Sequence, residues 1–376
     1  MNKNIILVIT PEIGGGGGCF YHRIATIANH LNATPSYNTK VIMSPCPILD
    51  GNILSQTKCV LFQRPVTPIM LEWIKRYKEL QPKFGNYSCV GEIDDLFTEF
   101  HGESIPEYNA SSLNIRNFTE IDKVVFETMK YLDRMIVSTK MLERVYNEKF
   151  NYWNTIVIEN AVPKSLYNVN RKNFFRDKPI TIIPSGKQHY RPPMPLDQQH
   201  PMGVTGIRGD YTGQWVEFIR DCIKNDKIQY IEMAGIAYFL EDLSAKIQTT
   251  PWFDTPNYAA FLSRTQPDII MAPLANNTFV KCKSFLKFTE CCALGTVLMG
   301  SYFEGSPYEL IHPLCRVPDN PTKEQLETVF NNVKKNWKEI LDYQYNFINA
   351  HGDWIESPIH VNKWLNACSP LDGGMI

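Results

Sequence analysis

Apolar and polar positions follow two rhythms along this chain. Short, β-rich apolar runs occur at Asn4 to Thr10, Lys40 to Ser44, Cys59 to Gln63, Cys89 to Ile93, Arg134 to Ser138 and Thr155 to Glu159. Between them, Tyr21 to Leu31, Pro68 to Glu79 and Phe118 to Leu132 carry apolar residues at helical spacing. Such alternation predicts a parallel sheet with crossover helices. The polar stretch "KSLYNVNRKNFFR" (164–176) interrupts it and reads as a linker. A second alternation follows: "PITIIPS" (179–185), a helix over Gly213 to Lys224, "IQYIEMAG" (228–235), a helix near Leu240 to Ile247, "PDIIMAP" (267–273), a helix from about Ser284, and "TVLMGS" (296–301). Then "TKEQLETVFNNVKKNWKEILDYQYNFI" opens on a Thr322 to Gln325 capping box and repeats apolar residues at helical spacing, predicting one long amphipathic helix. The expected fold class is therefore α/β, with two Rossmann-like, doubly wound domains. The first spans 1–163, the second 164–350, and the tail 351–376 crosses back to the first, anchored by Trp354 and Trp364.

Composition narrows the partners. A net charge of −1 over 376 residues gives no global attraction to nucleic acid or anionic membrane, so a polyanion would need a local patch. The ten cysteines form no CxxC pair, which argues against a zinc ribbon and, in a chain this long, against a disulfide framework; a reducing cytoplasm is the expected setting. The apolar run Ile5 to Ile9 is shorter than a signal-peptide core or a membrane span. No His, Cys and carboxylate cluster has metal-ligand spacing, so no metal is expected.

Two stretches carry candidate chemistry. "PEIGGGGGCFYHR" (11–23) leads from a strand into a helix through five glycines, a geometry that turns backbone N–H groups toward an anion such as phosphate. Neither GxGxxG nor a P-loop is present, and the second strand lacks the acid that would hold an NAD ribose; a turn without ligand is the competing reading. Downstream, "KSFLKFTECCALGTVLMGS" (283–301) reads as a helix stopped by Gly295 and followed by a buried strand. Ser284 is placed to cap that helix, while Lys283, Lys287 and Glu290 share a face beside its positive end. That face is either a diphosphate site with a carboxylate one turn on, or a solvated stripe.

These motifs, in this order, resemble the GT-B glycosyltransferases, specifically the large retaining group similar to glycosyltransferase family 4, in a phage-encoded branch. "KSFLKFTECCALGTVLMGS" looks like that group's donor-site helix and strand. "LFQRPVTP" (61–68), "VGEIDDLFTEF" (90–100), "MIVSTKMLERVY" (135–146) and "VIENAVP" (157–163) are similar to segments of its first domain, and "IIPSGKQHYR" (182–191) to the opening of its donor domain. The resemblance implies a nucleotide-sugar co-substrate, a UDP-sugar in the first instance, with Glu290 on the donor ribose. It also implies no bound metal and retention of anomeric configuration. Where the group often has a second glutamate, eight residues earlier, this chain has Cys282.

In such a fold Gly16, Gly17 and Gly18 would let the first domain's backbone approach the diphosphate, where even a methyl group would collide. Lys187, Arg191, Ser284 and Lys287 would surround the departing phosphates. Tyr21, His22 and Arg23 would meet sugar or acceptor. Asp94 and Asp95, in an acidic stretch (92–107) with six acids and no Lys or Arg, are the catalytic candidates: they either orient or deprotonate the acceptor hydroxyl, or cap the next helix. The phage-like resemblance favours a hydroxymethylated pyrimidine in double-stranded DNA as acceptor. Surface glycans, lipids and proteins are alternatives, and a non-catalytic nucleotide-sugar-binding module is the reading from another class.

Overall fold

The computed structural model describes residues 3–13, 18–97, 118–167, 172–183, 213–233, 238–251, 253–351 and 354–370. Among the described residues, twelve strands form two six-stranded sheets, and every strand pair is parallel. The first sheet contains β1 (Ile5–Ile9), β2 (Lys40–Ser44), β3 (Thr57–Gln63), β4 (Ser88–Ile93), β5 (Arg134–Val137) and β6 (Thr155–Val157), in the order β2-β1-β3-β4-β5-β6. The second contains β7 (Ile180–Ile183), β8 (Gln229–Met233), β9 (Ile247–Thr250), β10 (Ile269–Ala272), β11 (Val297–Tyr302) and β12 (Arg316–Pro318), in the order β12-β11-β10-β7-β8-β9. Strand order therefore reverses between β1 and β3 in one sheet and between β7 and β10 in the other. At such points the loops leaving the carboxyl ends diverge and open a crevice for ligand.

Burial explains why the strands read as unbroken apolar runs. All five residues of β1 and all six of β4 are buried, as covering both faces of a parallel sheet with helices requires. Two strands escaped the sequence pattern. The segment expected to be a helix up to Ile247 is a 3-10 turn over Tyr238–Lys246, and β9 begins at Ile247. The three-residue β12 ends on Pro318 at the sheet edge. The long helix is Lys323–His351, bent at Asn336, and its capping box is formed: Thr322 N–H donates to Gln325 Oε1 at 2.8 Å, and Gln325 N–H to Thr322 Oγ1 at 3.3 Å.

The last described segment returns to the first sheet. Trp354 bridges Val162, and Ile355 N–H donates to the Val162 carbonyl. The helix Pro358–Ala367 lays Val361, Trp364 and Ala367 on a core shared with Ile6, Val8, Ile24 and Leu61. His360 lies inside this contact, and its Nε2 accepts the Trp364 indole N–H at 3.1 Å. Burial, with Arg23 and Lys363 adding to it, pushes its pKa down to about 3. The unfolded chain therefore binds a proton near pH 6.5 that the folded chain refuses, so stability falls as pH drops from about 6.5 toward 3. The expected outcome is a melting temperature that declines over that window and declines less in His360→Gln. Parallel slopes for the two proteins would contradict it.

Candidate active site

The crevice between the two sheets is lined from both sides. From the first sheet, the segment after β1 passes the glycines and enters a helix. That helix runs as a short α segment (Gly18–Phe20), a π-helical turn (Tyr21–Ala25) and an α-helix (Thr26–Ala33). In the π turn the Thr26 N–H reaches back five residues to the Tyr21 carbonyl, which the Thr26 hydroxyl also meets at 3.0 Å. Single π turns of this kind occur often at functional sites. From the second sheet come the helices Thr255–Thr265 and Leu286–Leu294, which follow β9 and β10.

Glu290 is the centre of the arrangement. It is 2% exposed. The Tyr167 hydroxyl donates to its Oε1 at 3.0 Å, and Lys287 Nζ stands 3.7 Å from Oε2, over the ring of Tyr258. Oε2 is buried with no hydrogen-bond partner, and so is the Tyr258 hydroxyl. From across the cleft, His22 brings Nε2 to 3.7 Å from Glu290 Oε1, while its Nδ1 lies 3.4 Å from the Ala161 carbonyl. A carbonyl only accepts, so Nδ1 carries the proton and Nε2 of the neutral ring presents a lone pair. Burial lowers the His22 pKa, against the pull of Glu290 and Ala161 and with help from Lys287. Two acceptors thus face each other with an unsatisfied carboxylate oxygen beside them. Such a set is matched by a ligand carrying hydroxyl donors.

The sequence candidates divide on this geometry. Lys287 and Glu290 do share a helix face, as their spacing predicts. Ser284 does not cap the helix: the N-cap is Phe285, whose side chain makes no cap hydrogen bond, so the positive end of the helix opens uncapped by any side chain. Ser284 instead accepts from Asn160 Nδ2 at 2.8 Å and ties the two halves of the chain together. Lys283 lies outside the helix, and its ammonium pairs with Asp95 Oδ2 at 2.6 Å. Asp95 is thereby an interdomain ion-pair partner. Asp94 is held by both oxygens on Arg64 at 2.9 and 3.3 Å; burial pushes its pKa up, but the guanidinium outweighs this and brings it down to about 2. A carboxylate that acidic is a poor proton acceptor near neutrality.

Arg23 does not reach the cleft. It is 1% exposed, and its Nε donates to Glu92 Oε1 at 2.6 Å. Its Nη1 donates to the Ile158 carbonyl and, at 3.2 Å, to Asn160 Oδ1, and Trp364 stacks on it at 5.3 Å. It is an internal strut that positions Asn160, and through Asn160 the Ser284 loop. Tyr21 is half-buried beside Asp254, whose charge adds to burial in raising the phenol pKa. Gly18 stands against the second half: a Cβ there would sit 3.8 Å from Thr255 Oγ1, an ordinary contact, so nothing in the protein itself requires glycine at that position. Gly16, Gly17, Lys187, Arg191 and the acidic stretch beyond residue 97 lie outside the described residues.

Sequence reasoning passed over Tyr167, Tyr258, Asn160, Arg64 and Glu12. Each is an isolated polar residue whose partners are distant in the chain, so no local spacing marks it. Among the described residues, no group of three His, Cys, Asp or Glu could hold a metal ion, and no helix is long and apolar enough to cross a membrane.

No protein-family model matches the chain, and no curated protein matches it. Solved structures do. A glycosyltransferase from Rickettsia africae ESF-5 superposes with a TM-score of 0.57 at 14% identity, covering 97% of this chain and 98% of that one. HepE from Anabaena, solved in complex with UDP-glucose, gives 0.53 at 10% identity, covering 97% and 99%. At such identities the likeness is one of architecture. Two parallel six-stranded sheets, matched over nearly the whole length of both structures, give this chain the GT-B fold.

Proposed function

We propose that this protein is a glycosyltransferase that moves a sugar from a nucleotide-sugar, a UDP-sugar in the first instance, to an acceptor hydroxyl with retention of configuration. One observation carries the reading. The buried, half-satisfied Glu290 carboxylate sits on the helix between β10 and β11 of a GT-B fold, facing His22 from the first sheet's side. Two hydroxyls of a ribose supply the donors that Glu290 Oε2 and His22 Nε2 lack. Lys287 and the uncapped start of the helix Leu286–Leu294 then lie beside the diphosphate. As the bond from the sugar to phosphate breaks, negative charge grows on the departing nucleotide. An ammonium and backbone N–H groups fixed in advance stabilise that charge more than they stabilise the intact donor. A neighbour solved as a glycosyltransferase and another solved with UDP-glucose bound support this reading.

For the acceptor, we take the hydroxymethylated pyrimidine of double-stranded DNA suggested by the phage-like motifs as the first to test, before glycans, lipids and proteins. Titration calorimetry with UDP-glucose, UDP-GlcNAc and UDP-galactose tests donor binding. UDP release with and without a duplex carrying 5-hydroxymethylcytosine tests transfer. Binding of a UDP-sugar and acceptor-stimulated UDP release are the expected results. Binding without release would favour the non-catalytic module, and no binding of any nucleotide-sugar would overturn the proposal.

A further inference from the structure

Three strands of the first sheet end at one place on the cleft wall, and each delivers a charge there. Glu12 lies three residues beyond β1, Arg64 directly follows β3, and Asp94 directly follows β4. Arg64 spends Nε and Nη2 on the two oxygens of Asp94 and Nη1 on Glu12 Oε1, with the ring of Phe97 5.1 Å from its guanidinium. The Arg64 backbone has φ +50° immediately before Pro65, a conformation that a residue with a side chain keeps only where its surroundings enforce it. The enforcement is visible: the Arg64 N–H donates to the Glu92 carbonyl at 2.7 Å, and the guanidinium is tied at three points.

One guanidinium thus serves two unequal carboxylates. Asp94 is 6% exposed at its side chain, with both oxygens engaged, whereas Glu12 is 24% exposed, in the neighbourhood where Asp95 meets Lys283 of the second half. Burial raises the Glu12 pKa despite Arg64 and the Phe20 N–H, and Asp94 adds to the rise; Arg64 wins at Asp94 and lowers it. Paired carboxylates whose environments push them apart mark a division of labour. Two carboxylates on one guanidinium also leave an excess of one negative charge, so the group that meets Glu12 itself is better a neutral hydroxyl donor than a phosphate. Two residues beyond Phe20, His22 faces Glu290, so Glu12 and the proposed donor site flank one helix start.

We infer that Glu12 receives the acceptor: an uncharged alcohol donates its hydroxyl to the Glu12 carboxylate from the cleft, with Arg64 and Asp94 fixing that carboxylate in place. This rests on the glycosyltransferase reading. The hydrogen bond aims an oxygen lone pair at the anomeric carbon. The new carbon–oxygen bond forms as the bond from that carbon to the diphosphate oxygen breaks, and its electron pair leaves with the nucleotide. In a retaining transfer the hydroxyl proton passes to the departing phosphate oxygen, so Glu12 orients the hydroxyl without keeping the proton.

The test compares the wild-type protein with Glu12→Gln and Asp94→Asn. It measures UDP release from UDP-glucose with water as acceptor and with a duplex carrying 5-hydroxymethylcytosine, alongside UDP-glucose binding. Glu12→Gln is expected to lower turnover with either acceptor by roughly tenfold or more while the UDP-glucose dissociation constant stays within about twofold. The acid limb of the wild-type pH profile should vanish in Glu12→Gln and persist in Asp94→Asn. Among the described residues, the other titratable groups around Glu12 are Arg64, Asp94 and the Cys19 thiol, with the Asp95–Lys283 pair next to them. Asp94 titrates far below such a limb, and Cys19 is pushed well up by burial and by Asp94. Turnover in Glu12→Gln within about threefold of wild type, or equal losses of donor binding and turnover, would overturn the inference. A wild-type protein that binds no UDP-sugar would instead overturn the glycosyltransferase reading itself.

Discussion

Replacing Arg23 by methionine is expected to cost the folded state about 3–5 kcal/mol, because it leaves Glu92 buried without its cation. Glu92 is 0% exposed, and burial already raises its pKa to about 7 even with Arg23 beside it. In the variant Glu92 takes up a proton more readily still. A group whose folded pKa is raised contributes stability below its unfolded value and loses it as pH rises through the folded one. The deficit of Arg23→Met should therefore be smallest near pH 5 and grow toward pH 8. Adding Glu92→Leu removes both charges, and the double variant should be more stable than Arg23→Met alone. Urea titrations at the two pH values decide this. A double variant showing the sum of two separate losses would mean that Arg23 and Glu92 do not act as a pair.

Glu290→Gln is the second large effect, and it should divide function from stability. If Glu290 holds the donor ribose, losing the charge-assisted hydrogen bonds costs about 1.5–3 kcal/mol, a ten- to more than hundredfold fall in UDP-glucose affinity by calorimetry. The fold should not suffer in proportion. Glu290 Oε2 is buried without a hydrogen-bond partner, a cost that the neutral amide reduces, so the melting temperature should hold or rise. Unchanged donor affinity with a lowered melting temperature would make Glu290 a structural residue.

What the sequence revealed followed from local periodicity. Ten of the strands lie where apolar runs predict them, because a strand buried on both faces has to be apolar throughout. The two that were passed over, β9 with "IQTT" and β12 with "RVP", lie at the sheet edges, where that demand is relaxed. In the candidate site, the spacing of Lys287 and Glu290 is a helix property and was legible. The fate of Arg23 was not: its partners Glu92 and Trp364 are far away in the chain, and nothing near position 23 distinguishes a buried strut from a ligand contact. Ser284 misled for a related reason. A serine before a helical pattern is a good cap in isolation, but here Asn160 takes its hydroxyl and the helix starts later.

The π turn at Tyr21–Ala25 holds both His22, which meets Glu290, and Arg23, which is buried on Glu92. Its wider winding is equivalent to one residue inserted into an otherwise regular helix. Removing a single residue there would restore ordinary winding while the segments on either side stay nearly in phase, so Gly18 should remain by Thr255 and Phe20 by Glu12. What changes is the turn itself: the remaining side chains are redistributed at steps of about 100°, and His22 and Arg23 are re-aimed away from Glu290 and Glu92. The extra peptide unit thus indexes the contents of the turn, and a one-residue deletion should disturb both contacts at once where a side-chain replacement removes one.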